Sequence, residues 1–211
     1  MTRSVGWDRV GAISGIAFGA LVIAGLTVWL GRDQDVTPAS LPGQTAIIFS
    51  DRSAEIKAGT LMIVFAVFFQ IWFLAYLWDR LREQERSLWF PSVMFAGGIV
   101  AAAMLLAMAS LGLAAAVTAQ YETDFLVVHT ILTLRWDHLS VLAAPLAAMV
   151  AGTAAAGVRS GVLPAWLGWL SFPLVVGPVL LSGQLMIVLF MVWVIVVSTT
   201  LLAKTFSENS Q

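Results

Sequence analysis

Six apolar stretches, each about as long as a bilayer crossing, take up most of this 211-residue chain. They cover roughly residues 10–30, 58–78, 93–119, 139–158, 162–181 and 185–203. In lipid every backbone amide must be hydrogen-bonded within its own segment, and about 20 predominantly apolar residues of helix cover the hydrocarbon. The sequence therefore predicts an all-α, polytopic transmembrane bundle of six helices, one domain over residues 1–211. A hydrophobic content of 60% and a mean hydropathy of +0.92 leave little chain for anything outside the membrane.

Charge is confined to the segment ends. Charged residues make up 11% of the chain and the net charge is −1, against roughly 25% charged residues in soluble domains. No basic patch interleaved with aromatics is present, so nucleic acid is not expected as a partner. The chain has no cysteine, which excludes disulfides, thiolate metal sites and thiol redox chemistry. The first apolar stretch is too long for the core of a cleavable signal and is expected to stay as a helix.

Lysine and arginine placement sets the expected orientation. With the N-terminus inside, the inner side carries Arg3, Arg9, Arg80, Arg82, Arg86, Arg159 and Lys204, and the outer side Arg32, Arg52, Lys57 and Arg135. This favours N-in and C-in. Trp7, Trp78, Trp89, Trp166 and Trp169 then fall towards the inner interface, and Trp29 and Trp136 at the outer one, as an aromatic belt.

Several features bear on packing. Asp8 is a candidate N-cap for the first helix. Gly11, Gly15 and Gly19 recur every four residues on one face, where a second helix backbone can approach, within the chain or in a dimer. The outer loop, residues 31–57, reads as irregular in its first half, where Pro38, Pro42 and Gly43 interrupt regular structure. Its Ser50–Asp51 pair is a credible cap for an extension of the second helix. Gln70 is the strongly polar residue at mid-depth, expected to find a partner in another helix. The decapeptide FLVVHTILTL, residues 125–134, is too short to span. It either lies on the outer surface or extends the fourth helix. Pro145 should kink that helix, while Pro173 and Pro178 break the fifth by freeing the carbonyls of Trp169 and Leu174. Ser198, Thr199 and Thr200 are placed to bond back to the preceding turn.

The chemistry-bearing residues are few. No predicted helix has an ionisable side chain in its central region, which argues against a proton-coupled pump or a retinal protein. The histidines, His129 and His138, lie near the outer face, away from the depth at which a haem would sit. No nucleotide-, zinc- or hydrolase-type motif occurs. The constellation to weigh is Glu122, Asp124, His129, Asp137 and His138, which offers carboxylate and imidazole groups on the outer side. Its spacing matches no metal-ligand signature, so neither a metal nor a cofactor is expected. An interfacial anchor around Trp136 and Asp137 is the favoured account, with no catalytic residue assigned.

SDRSAEIKAG, LWDRLREQE, FAGGIVAAA and VRSGVLPAWLGWLSF together resemble an uncharacterised group of actinobacterial integral membrane proteins. These are similar to a broader bacterial six-helix family known only as a domain of unknown function. The best marker is RSG-x-LP-x-WLGWL, residues 159–170, a turn opening into the fifth helix. The resemblance implies a multi-pass protein of a bacterial plasma membrane and transfers no functional residue. The favoured reading is a non-enzymatic membrane protein whose partners are the lipid bilayer and either another membrane protein or itself. It would act as an accessory subunit or bind a lipid or small apolar ligand. The alternatives are a small transporter or channel using the proline-broken fifth helix and Gln70, and a membrane enzyme using the outer His/acid cluster.

Overall fold

In the second apolar region the residues that turn inwards recur at intervals of four and three: Ile56, Thr60, Ile63, Val67, Gln70, Leu74, Leu77 and Leu81 are all buried. That is the seam of a helix packed nearly parallel to its neighbours. The opposite face carries Leu61, Val64, Phe65, Phe68, Ile71 and Trp72, all exposed. A helix apolar on its packed and its open faces has lipid, not water, as its solvent.

The computed structural model describes residues 5–30, 42–84, 87–121, 125–177 and 183–208. These residues form seven helices and no strand: α1 (Val5–Leu30), α2 (Pro42–Asp51), α3 (Ser53–Gln84), α4 (Trp89–Tyr121), α5 (Phe125–Arg159), α6 (Ala165–Val176) and α7 (Gly183–Glu208). Among them α1, α3, α4, α5 and α7 are long and apolar enough to cross a membrane, and α6 is a shorter apolar helix. The chain is a multi-pass helical membrane protein. Around the bundle α7 packs on α1, α1 on α3, α3 on α4 and α4 on α5, with α6 on α5 and α7, and α2 lying across α4 and α5.

Small residues set the spacing. A Cβ on Gly97 of α4 would stand 2.7 Å from the Pro145 carbonyl oxygen of α5, and one on Gly152 would stand 2.5 Å from the Met94 nitrogen. The two backbones are in contact there, the close approach that replaces hydrophobic driving force between helices in lipid. The glycine stripe of α1 is used within the chain. Gly11 faces Tyr76 of α3, Gly15 faces Phe73 of α3 and Ser198 of α7, and Gly19 faces Ile195 of α7. The Arg9 guanidinium lies 4.5 Å from the ring centre of Phe206. Together these contacts run α7 antiparallel to α1.

The turn from α5 into α6 gives the RSG-x-LP segment its physical meaning. Gly161 has φ +73°, with nothing within 4 Å of where a Cβ would stand. The backbone conformation, not crowding, calls for glycine at that position. Leu163 N–H donates back to Gly157 O at 2.8 Å. The Lys204 ammonium of α7 donates to the carbonyls of Gly161 (2.9 Å) and Val162 (2.8 Å), satisfying acceptors that the end of α5 leaves free.

Several expectations are corrected. Pro42 does not interrupt structure; it opens α2, because a proline at the first helical position gives up an N–H that would be unpaired anyway. The fourth helix begins at Phe125 and not near 139, so of the two placements left open for FLVVHTILTL the structure takes the extension. Asp8 lies in the first turn of α1, where it still favours the helix dipole, because α1 starts at Val5. Among the described residues the fifth segment is helical over Ala165–Val176, about 18 Å at 1.5 Å per residue, and begins three residues later than expected; residues 178–181 lie outside the described residues. Pro173 lies inside this helix, and Pro178 falls outside the described residues. Trp29 does not face lipid as a belt residue would: it is buried inside the bundle, while Trp7, Trp89, Trp166 and Trp169 are exposed.

Candidate functional site

Polar side chains link different helices most extensively in a layer where α1 ends, and a single buried amide does so in the middle of the bundle.

The layer is built on Trp29, near the C-terminal end of α1. Its indole N–H donates to Ile56 O of α3 at 3.0 Å. The ring fits because Gly59 and Gly112 leave room; a Cβ at Gly59 would lie 2.5 Å from the ring and one at Gly112 3.2 Å. The Arg135 guanidinium of α5 lies over this ring, 3.9 Å from its centre, within the range of a cation–π contact. Beside it Arg52 donates to Val28 O (3.2 Å) and pairs with Glu55 (2.6 Å). One step further, Lys57 donates to Gln120 Oε1 at 3.2 Å and Gln120 Nε2 donates to Ser53 Oγ at 2.5 Å, linking α3 to α4. Four helices thus meet through a tryptophan, two arginines, a lysine and an amide.

At mid-bundle Gln70 is fully buried, and its Nε2 donates to Gly98 O of α4 at 3.0 Å. The glycine brings that carbonyl within reach of the amide. Gln70 Oε1 has no hydrogen-bond partner. Other buried hydroxyls turn back on their own helices: Ser14 donates to Gly11 O, Thr153 to Met149 O and Thr205 to Leu201 O. Ser171 does the same to Leu167 O and accepts from the Trp193 indole at 2.9 Å, tying α6 to α7. Thr199 and Thr200 bond back to Ile195 O and Val196 O, whereas the Ser198 hydroxyl, wedged against Gly15, has no partner.

No family model, curated protein or solved structure matches this chain. The site therefore rests on its own geometry.

The outer His/acid constellation is not assembled among the described residues. Glu122 and Asp124 lie outside them, as does the Trp136 side chain. His129, Asp137 and His138 share the one continuous helix α5. His129 and His138 are nine residues apart, about 13 Å along the axis. His138 Nδ1 lies 2.8 Å from Leu134 O, so that nitrogen carries the proton. No group of three His, Asp or Glu residues able to hold a metal occurs among the described residues.

Sequence reasoning placed Trp29 and Arg135 only as outer-boundary residues, without linking them, and did not name Gln120. One signal was available: Arg135 follows the largely apolar FLVVHTILTL within one continuous helix. An arginine there needs a neighbour to offset its burial, but which one depends on how α1 and α5 cross.

Proposed function

We propose that this protein is a non-enzymatic component of a bacterial plasma membrane that binds lipid or a small apolar ligand, or serves as an accessory subunit. One observation carries the reading. Among the described residues the buried polar ones are Ser14, Ser53, Thr60, Gln70, Thr153, Ser171, Ser198 and Thr205, with no ionisable group among them. A bundle core of hydroxyls and one amide lacks the titrating side chains with which coupled transport and proton relays work. Apolar side chains fill the rest of the core and cover much of the outside.

The same reading has six crossings with both ends on the cytoplasmic side. Its support is the inner excess of Lys and Arg and the antiparallel run of α7 along α1, which brings Arg9 and Phe206 to one end of the bundle. In this layout α6, described over Ala165–Val176, counts as the fifth crossing. The likeness of RSG-x-LP-x-WLGWL to the actinobacterial six-helix group agrees with this layout.

Purification in a mild detergent followed by mass spectrometry of co-eluting lipids and proteins tests the reading. A stoichiometric lipid or partner is the expected result, and a bare chain overturns it. The transporter alternative draws on one feature, the unpaired Oε1 of Gln70. Solute flux in proteoliposomes that Gln70→Leu abolishes without loss of folding would favour that alternative.

A further inference from the structure

Among the described residues Arg135 is a cation held in the polar layer by a ring face alone. A guanidinium carries five N–H donors. Its recorded contact is with the face of Trp29, which accepts none of them in a conventional hydrogen bond. Glu55, the acid of the polar layer, is engaged by Arg52 at 2.6 Å. Asp137 is exposed and two residues further along α5, about 200° around the helix from Arg135. Among the described residues no carboxylate lies within salt-bridge distance of Arg135. The residue is partly exposed.

Depth narrows what could complete it. Arg135 is 24 residues above Arg159 on α5, about 36 Å at 1.5 Å per residue. A hydrocarbon core is about 30 Å thick and a whole bilayer about 40–45 Å. With Arg159 at one boundary, Arg135 emerges just past the other, at the level of lipid phosphates. An arginine fork matches the oxygens of a phosphate in two parallel hydrogen bonds. The Trp29 ring, fixed by its bond to Ile56 O, holds the guanidinium plane and limits the freedom lost on binding.

We propose that Arg135, seated on Trp29, binds a phosphate-type oxyanion at the α1-terminal end of the bundle. The anion is the headgroup of a phospholipid or a free phosphate. The lipid source rests on the lipid-binding reading above; the anion site does not.

Wild type, Arg135→Gln and Arg135→Lys, purified without lipid, are offered phosphatidylglycerol and, separately, diacylglycerol with the same chains. Native mass spectrometry counts what each retains, and calorimetry titrates inorganic phosphate. Wild type should hold one phosphatidylglycerol in preference to diacylglycerol. Arg135→Gln should weaken that at least about tenfold, the scale of one lost hydrogen-bonded contact to a charged group, with Arg135→Lys between. Phosphate binding with the same dependence identifies a free anion as sufficient; lipid binding alone identifies the headgroup. Equal retention by wild type and Arg135→Gln overturns the proposal. So does a large stability loss in Arg135→Gln without any change in binding, which assigns the guanidinium to a carboxylate of its own chain. If Arg135→Gln does not fold, Arg135→Lys decides, and undiminished affinity there overturns it. Retention of lipid by every variant leaves the lipid-binding reading standing while this one falls. If wild type retains no lipid at all, the lipid-binding reading falls and the phosphate titration alone decides Arg135.

Discussion

At the scale of single residues the bundle is governed by polar groups that lipid cannot hydrate. Gln70 makes one interhelical bond through Nε2 and leaves Oε1 unpaired. Such bonds are worth about 0.6–2 kcal/mol in membranes, and an unpaired buried acceptor offsets part of that gain. Gln70→Leu removes both at once while Gly98 O keeps its own helical bond. We expect thermal unfolding in detergent to shift by the equivalent of less than about 2 kcal/mol; a larger loss means that Oε1 has an essential partner. Gly161 is a purer backbone case. Its φ of +73° and the open space at its Cβ position make Gly161→Ala a test of conformation alone. The variant should lose about 1–2 kcal/mol, measured by the same unfolding assay, and Gly161→Asn should lose less.

At the scale of helices, α5 changes the meaning of the outer polar residues. Carried on one unbroken helix, His129 and His138 stand about 13 Å apart, too far to share an ion. Asp137 adjoins His138, and neighbouring helical residues point about 100° apart. Elemental analysis of purified protein should therefore find no stoichiometric transition metal. The His129→Ala, His138→Ala double variant should insert and fold like wild type. One equivalent of metal, lost in that variant, would restore the enzyme alternative. The same element shows why FLVVHTILTL was ambiguous in sequence. Its length rules out a span, but only packing of Val128 and Leu132 into the core with α2 across it decides between an extension and a surface segment.

At the scale of the whole molecule the open question is sidedness. Seven of the eleven Lys and Arg residues fall on the side proposed as inner, and the contacts that pair Gly15 with Ser198 and Gly19 with Ile195 run α7 against α1. The absence of cysteine makes single-cysteine labelling clean. Ser40→Cys should react with an impermeant maleimide on intact cells, and Ser87→Cys only after lysis. The reverse pattern inverts the topology, and labelling of both on intact cells contradicts a fixed orientation.

Hydrophobicity is additive along the chain, so the rough positions of five long apolar helices were legible in the residues themselves, whereas the sixth expected span coincides with the shorter α6. The requirement that lipid-embedded amides pair locally then left helix as the only form they could take. Within each helix the sequence could not say which apolar face turns inwards, because in α3 both faces are apolar. The Gly11, Gly15 and Gly19 stripe announced close packing but not its partners, which are the side chains of α3 and α7. Trp29 read as an interfacial tryptophan because burial is a property of the neighbours; the room for its ring comes from Gly59 and Gly112, far along the chain. The Arg135–Trp29 contact spans two helices whose crossing no local pattern encodes. Only the tertiary structure decided it, because its energy comes from groups brought together by the packing of four helices.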